Sequence, residues 1–250
     1  MILTLLIILF FLMVVVGGNR GVDSFFSLAK TMVAMLVNIY LIAWGLPAIP
    51  VTLLVSVFFV ATVLYAQNGV NAKMHAAAIA VLIVVIIVML GAGPLLYRAG
   101  ISGYNEIEQY EEISMYLSGN IRVSMAAVSI SAVVLGLLGA VMDTAVAITT
   151  AVNEVYVNNQ SLTKAELVQS GLHVGKDILG TTVNTLFFAG LGESIMLAIL
   201  FMRNAETIAS IINSKSLLQE VAGLLIGGIG CLAIIPLSSV LVAGFVVKKK

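Results

Sequence analysis

The stretch of sequence that decides the fold is Gly136-Leu137-Leu138-Gly139-Ala140-Val141-Met142-Asp143-Thr144-Ala145, because it sets a carboxylate inside a segment apolar enough to cross a bilayer. An ionised Asp in the middle of a membrane helix costs about 2.5 to 3.5 kcal/mol on insertion scales. A carboxylate that persists at such a position usually has a partner or a water-filled cavity. Asp143 is therefore the first candidate for a residue on a transport path.

The residues around Asp143 form a stripe with helical spacing. Gly136, Asp143, Thr150 and Glu154 follow one another at steps of seven, seven and four. Each lies within about one-ninth of a turn of a common helix face. We predict one small, polar face on this helix, with the remaining faces turned to lipid or to neighbouring helices. The alternative is a buried Asp that only bonds a Ser or Thr across a helix interface.

Composition excludes a soluble domain. Hydrophobic residues make up 61% of the 250 residues and charged residues 10%, with a mean hydropathy of +1.14. Continuous apolar runs of helix length predict an all-α polytopic transmembrane bundle in contact with the lipid bilayer, rather than a barrel of short alternating strands. Charges balance at 12 Lys and Arg against 12 Asp and Glu, so nucleic acid is not expected as a partner.

No metal site or cofactor is predicted. The single cysteine, Cys231, lies in an apolar run without a metal-ligand companion and is expected to be a small core residue. The acidic residues of the first half include Glu106 and Glu108, but they do not form an Asp-x-Asp-x-Asp-Gly calcium loop. A solvated acidic face is the simpler interpretation of that segment.

Apolar runs predict about seven spans within a single transmembrane domain covering residues 1–250. The expected limits are 2–17, 29–46, 50–66, 76–97, 121–157, 178–202 and 217–247. The fourth run is apolar on all sides and is expected to be a scaffold helix. In the last run, Pro236 is expected to interrupt the helix together with Ser238 and Ser239.

Two longer connections separate these runs. Residues 98–121 contain four glutamates and are expected to form an acidic external loop, with a short amphipathic helix around Tyr110. Residues 158–176 are expected to hold a cytoplasmic linker helix over about 164–175. Thr163 and Glu166 have the spacing of a capping box at its start.

The distribution of Lys and Arg predicts the orientation. With seven spans and the C-terminus inside, the cytoplasmic side holds Arg20, Lys30, Lys73, Lys164, Lys176 and the three lysines 248–250, which is eight in all. The outer side holds Arg98, Arg122, Arg203 and Lys215, which is four. The positive-inside rule then predicts an external N-terminus.

Further polar and small residues fall in the last two runs. The sixth run contains Thr182 and Asn184, and also Glu193, a second carboxylate within a membrane segment. In the seventh run, Gly223 and Gly227 have the small-xxx-small spacing that is typical of close helix packing.

Two motifs resemble a known family. They are Gly139-Ala140-Val141-Met142-Asp143-Thr144-Ala145 and Gly175-Lys176-Asp177-Ile178-Leu179-Gly180-Thr181-Thr182-Val183-Asn184-Thr185-Leu186. They resemble the YibE/F family, and in particular its shorter, YibF-type members, strongly over the last 130 residues. The resemblance implies a multi-pass protein of the bacterial inner (plasma) membrane and supplies no substrate.

A more distant likeness concerns mechanism. A Gly-rich helix with a central Asp, a linker helix, a Thr-rich helix and a last helix with Gly and Ser-Ser resemble the fourth to sixth helices of RND-type permeases, including SecD/SecF. The last six predicted spans would then correspond to one RND-type half. This chain has only residues 47–50 where those proteins insert a large external domain, so a substrate-handling role of such a domain is not implied.

These residues lead to two function hypotheses. In the first, the chain is a subunit of an ion- or proton-coupled transporter, with Asp143 as the coupling group, Thr182 and Asn184 as polar ligands, and Glu193 as a second carboxylate. In the second, it is a non-transporting assembly or scaffold subunit. An enzyme is not expected, since membrane segments hold neither a second Asp in a facing span nor a Ser/His pair.

One copy of the Asp motif predicts a partner. RND-type machines join two halves about a pseudo-two-fold axis, whereas this chain shows no second repeat of the motif. We expect a homologous YibE-type subunit, or a second copy of the chain, to cover the Asp143 face. Gly136 and Gly139 would permit that close approach.

Overall fold

The computed structural model describes residues 1–98, 123–203 and 207–247, and all regular structure in these ranges is helical. Helix α3 includes a π-helical segment at Ala61–Tyr65. The nine helices of the described ranges are α1 Ile2–Gly17, α2 Asn19–Ala43, α3 Ala48–Asn68, α4 Ala72–Arg98, α5 Met125–Asn158, α6 Lys164–Glu193, α7 Ile195–Arg203, α8 Ile208–Ile212 and α9 Lys215–Val247. The predicted acidic loop at 98–121, with its amphipathic helix, lies outside the described residues apart from Arg98.

Five of these helices are long and apolar enough to cross a membrane, namely α2, α3, α4, α5 and α9. Helices α6 and α7 meet at a bend of 40° and make a sixth span if they are taken as one. Helix α1 has 16 residues, or about 24 Å, which is shorter than the roughly 30 Å hydrocarbon core. The described part of the chain therefore supports five or six spans rather than the predicted seven.

The core of the bundle lies between α4, α5 and α9. Helix α9 packs against α4, α5 and α6, and α4 packs along α5. Val81 and Val84 of α4, Val141 of α5 and Ile234 of α9 are completely buried. The prediction that the fourth apolar run forms a scaffold helix is confirmed by its buried alanine and valine side chains.

Glycine contacts and one hydrogen bond give the direction of each core helix. Gly230 of α9 lies against Leu137 and Val141 of α5, and nearer the start of both helices Gln219 Nε2 donates to Ser129 Oγ at 3.1 Å. Helices α5 and α9 are therefore parallel. Helix α6 runs antiparallel to both and packs against both, because it follows α5 through a turn at residues 159–163.

Helix α6 differs from its prediction. A linker helix ending near 175 and a separate span from 178 were expected, but Lys164–Glu193 is one continuous helix, and the break comes at Ser194. The two helices are in close contact at this point, since a side chain on Gly175 would collide with Ile235 of α9. The predicted capping box is confirmed, since Thr163 N donates to Glu166 Oε2 at 2.7 Å and Glu166 N donates to Thr163 Oγ1 at 3.4 Å.

The predicted start of α2 and the predicted interruption at Pro236 were also wrong. Helix α2 begins at Asn19, ten residues before the expected start, because the chain turns directly out of α1 at Gly18, whose φ of 56° suits glycine. Helix α9 runs through Pro236 without interruption. Ser239 Oγ donates to the Ile235 carbonyl at 2.7 Å, so the serines bond within the helix instead of ending it.

The helices α2 and α3 share a buried polar contact that we did not predict. Thr52 Oγ1 donates to Asn38 Oδ1 at 3.4 Å, and Ser56 Oγ donates to the Thr52 carbonyl at 2.8 Å. All three side chains are buried. Helix α1, by contrast, has no buried residue and packs mainly on α2. The α1–α2 hairpin therefore lies at the edge of the bundle.

The close approach of α6 to α9 gives a stability prediction. Gly175→Leu would insert a side chain where Ile235 already lies, and overpacking of this kind costs about 1 to 3 kcal/mol. We expect a lower thermal unfolding temperature in detergent. Gly180→Leu is the matched control, because Gly180 is an exposed residue of the same helix with no atom within 4 Å. Equal unfolding temperatures for the two variants would show that α6 and α9 do not pack in this way.

Candidate functional site

Asp143 lies near the middle of α5 and points away from the core. Its neighbours Val141, Met142, Thr144 and Ala145 are buried, whereas Asp143 itself is exposed. The residues that the structure describes give it no hydrogen bond and no ion pair. A carboxylate at this depth, uncovered by its own chain, is the main chemical feature of the bundle.

The outward face of α5 carries almost only small residues on both sides of Asp143. This Asp143 face consists of Ala132, Gly136, Gly139, Asp143 and Ala147, which are all exposed and follow one another at steps of three and four. Among the described residues, no atom outside helix α5 lies within 4 Å of a Cβ built on Gly136 or Gly139. The face is thus a shallow groove with one acidic group.

The polar end of the predicted stripe continues this face. Thr150 is half-buried at its edge and Glu154 is exposed, one turn further towards the end of α5. The structure therefore places Gly136, Asp143, Thr150 and Glu154 on one side of the helix. Asp143 and Glu154 on that side are exposed, whereas Gly136 lines a cavity that α5 shares with α6 and α9.

The depth of Thr182 follows from one contact between α5 and its antiparallel neighbour α6, and from Gly227 of α9, which lies near both helices. A Cβ on Gly171 would lie 3.0 Å from Val152, and a Cβ on Gly227 would lie 3.8 Å from Leu186 and 4.0 Å from Leu137. Interpolation between these levels puts Thr182 about two residues from the level of Asp143, or about 3 Å along the axis. The two helices are neighbours at this depth, as we expected.

The structure does not join Asp143 to the predicted polar ligands. Thr182 is half-buried and Asn184 is exposed, and neither has a hydrogen bond to Asp143 within the described ranges. Thr185 Oγ1 instead donates to the Thr181 carbonyl of its own helix at 2.8 Å. The polar groups share a depth but do not form a preassembled site in the single chain.

Glu193 lies at the break between α6 and α7, away from Asp143. It lines a cavity of about 380 Å³ at the junction of α5, α6 and α9. Gly136 lines the same cavity, and Asp143 lies seven residues further along α5, or about 10 Å along the axis. The interpolation above puts Glu193 near the level of Ile130, thirteen residues or about 20 Å along the axis from Asp143, so the two carboxylates that we expected to act together lie far apart.

The structure adds three polar residues to this cavity. Ser129, Gln219 and Glu220 line it together with Glu193, and the carboxylates of Glu193 and Glu220 are close enough to interact electrostatically. We had not predicted this group. The spacing of Glu220, Gly223 and Gly227 on one face of α9 was the signal available, but only the parallel packing of α9 on α5 brings Glu220 to Glu193.

The glycines predicted for packing have two roles. Gly223 and Gly227 of α9 face α5, with Cβ positions 3.7 Å from Val133 and 4.0 Å from Leu137. Gly136 and Gly139 face outward with open space around them. Close approaches between helices also involve Gly171 and Gly190 of α6, which we had not singled out.

Geometry and composition define a polytopic helical membrane protein with an outward acidic face. A profile described as YibE/F-like protein matches residues 5–249. The chain therefore belongs to the YibE/F family. No curated protein and no solved structure matches it.

Proposed function

We propose that this chain is a subunit of an ion- or proton-coupled membrane transporter and that Asp143 is its coupling carboxylate. The observation that carries this proposal is the position of Asp143, near the middle of a membrane-length helix and unpaired within the described chain. Keeping an acidic group at such a depth is costly, so it marks a functional position by default. Acidic residues that lie along ion and proton pathways occupy similar positions.

The rest of the site is assigned roles by depth and by chain geometry. We assign Thr182 and Asn184 as polar ligands for the transported or coupling ion. Thr182 is half-buried near the level of Asp143, and Asn184 lies about one turn from that level. We assign Glu193, which lies at the helix break beside Glu220, to a second position on the proposed ion pathway. Broken helices line ion and substrate sites in several transporter folds.

We propose that a partner subunit supplies the other half of the site. The Asp143 face is lined by small residues and left open by its own chain, which is the arrangement expected of one half of a two-part machine. We propose a homologous YibE-type subunit as the partner, with a second copy of this chain as the alternative. The distant likeness to an RND-type half supports the same arrangement.

The proposed setting is a bacterial plasma membrane, with the N-terminus outside and the C-terminus inside. The structure brings residues 70–72, Lys164 and the end of α9 to one end of the bundle, where they line one cavity. Lys164 at this end agrees with the predicted basic side, whereas Lys176, which was also counted on that side, lies in the continuous helix α6 near the level of Ala147. A seventh span formed by α1 completes the proposed topology.

Cysteine labelling checks this orientation. A cysteine placed at Glu108 is expected to react with a membrane-impermeant maleimide added to whole cells, because the 98–121 segment is predicted to be external. A cysteine placed at Lys249 is expected to react only after the membrane is opened. The native Cys231 is buried and should not interfere. Protection at 108 combined with external labelling at 249 would require the reverse orientation.

Uptake by reconstituted vesicles tests the function. Vesicles that contain the chain and its co-expressed homologous partner, under an imposed proton or sodium gradient, are expected to accumulate at least one member of a panel of inorganic ions and small metabolites faster than empty vesicles. In the scaffold alternative, the chain binds its partner and no solute is accumulated under any gradient. That alternative rests on the same small-residue face, which suits docking as well as transport.

A further inference from the structure

A basic cleft at the predicted cytoplasmic end has no function assigned to it so far. It has a volume of about 590 Å³ and lies between the start of α4, the start of α6 and the end of α9. The residues that matter to its chemistry are Asn71, His75, Lys164, Val240, Leu241 and Phe245. Its polar groups come from the loop and helix starts, while its apolar wall comes from α9.

The cleft is lined by donor groups and by no acidic side chain of the described residues. Lys164 has no ion pair within the described chain. Asn71 is held in place because its Oδ1 accepts from Met74 N at 3.0 Å and its Nδ2 donates to the Asn68 carbonyl at 3.0 Å. The cleft is therefore complementary to an anion.

His75 is oriented by a neighbour. Its Nδ1 lies 3.0 Å from the hydroxyl of Tyr65, and the two rings are 5.3 Å apart. When the tyrosine hydroxyl donates to Nδ1, the neutral ring carries its proton on Nε2. Nε2 has no partner among the described residues, so it is free to donate into the cleft.

The other wall of the cleft is suited to hydrocarbon. Val240 and Phe245 are exposed on the surface of α9, with 56% and 37% of their areas accessible. This part of α9 is a membrane-length apolar helix. A ligand that fills the cleft would thus meet the Lys164 cation and neutral donors at one side and apolar side chains at the other, which is the profile of a phospholipid at the membrane boundary.

We propose that this cleft binds the phosphate of an anionic phospholipid headgroup, with Lys164, His75 and Asn71 as donors and with the glycerol and upper acyl chains against Val240 and Phe245 of α9. Basic clefts between membrane helices on the cytoplasmic side bind anionic headgroups in this manner. A soluble phosphate ion would use the same donors but would gain nothing from the apolar wall. This proposal is independent of any transport by Asp143.

Native mass spectrometry of the purified chain, titrated with phosphatidylglycerol, phosphatidylcholine or inorganic phosphate, tests the proposal. Lys164→Gln is expected to weaken phosphatidylglycerol binding about fivefold, the effect of one basic residue near a membrane surface. His75→Gln is expected to weaken it as well. Lys176→Gln is the matched control, because Lys176 is an exposed lysine of the same helix about 18 Å along its axis and does not line the cleft.

Each outcome of the titration either supports or overturns the proposed lipid site. Selective binding of phosphatidylglycerol that falls in Lys164→Gln and is unchanged in Lys176→Gln supports it. Equal binding of phosphatidylcholine, equal loss in both lysine variants, or displacement of the lipid by inorganic phosphate at millimolar concentration overturns it. Unfolding temperatures of the variants are measured in parallel, and should Lys164→Gln fail to fold, the comparison of His75→Gln with Lys176→Gln decides in its place.

Discussion

Replacing Asp143 by Asn is expected to reduce gradient-driven uptake to the level of empty vesicles while leaving the bundle folded. Asparagine keeps the shape of the side chain but cannot gain and lose a proton or balance a cation. Asp143 makes no hydrogen bond or ion pair within the described residues and faces outward, so its replacement removes no internal contact of the chain. The loss should therefore appear in transport and not in stability.

The measurement compares uptake rates of vesicles containing the two proteins at equal protein content, with unfolding temperatures measured on the same preparations. Asp23→Asn is the matched control, since Asp23 is an exposed carboxylate on the peripheral helix α2. It should transport like the unchanged protein. Full uptake by Asp143→Asn would remove the coupling role of Asp143, since transport would then depend on another group.

Replacing Gly139 by Leu is expected to break the association with the partner subunit. Gly139 lies on the Asp143 face, and no atom beyond its own helix approaches within 4 Å of its Cβ position. A leucine there has room in the single chain but would hold a partner helix away from the small-residue groove. Overpacking costs about 1 to 3 kcal/mol, and 2 kcal/mol corresponds to about a thirtyfold loss of affinity.

The mass of the complex in mild detergent, with the chain purified alone and after co-expression with the homologous subunit, measures this effect. Gly91→Leu is the control, because Gly91 is an exposed glycine of α4 that also has open space around it. We expect the complex to persist in Gly91→Leu and to dissociate in Gly139→Leu. A complex that tolerates both changes would place the partner on another surface.

Local periodicity predicted the face of α5, the scaffold role of α4 and the capping box at Thr163, because each depends on residues within a few turns of one helix. It could not predict which way the Asp143 face turns. That direction depends on α4, α6 and α9 covering the opposite side of α5, and so on contacts between residues far apart in sequence.

The errors have a similar origin. A break between residues 175 and 178 was expected, but packing of Gly175 against Ile235 keeps α6 continuous through this point. Glu220 carried no strong signal of its own and meets Glu193 only because α9 runs parallel to α5. The contact of Asn38 with Thr52 likewise requires the α2–α3 hairpin to be in register.

Labelling of Asp143 by a hydrophobic carbodiimide tests the central claim most directly, because these reagents enter the bilayer, react with a protonated carboxyl group and require no knowledge of the substrate. We expect Asp143 to be modified in membranes that contain the complex. We further expect that labelling falls as the pH is raised or as a coupling cation is added, and that a peptide map of Asp143→Asn shows no modification at position 143. Absence of labelling at Asp143 at every pH, with carboxylates elsewhere modified, would contradict the assignment of Asp143 as a group that exchanges a proton or a cation.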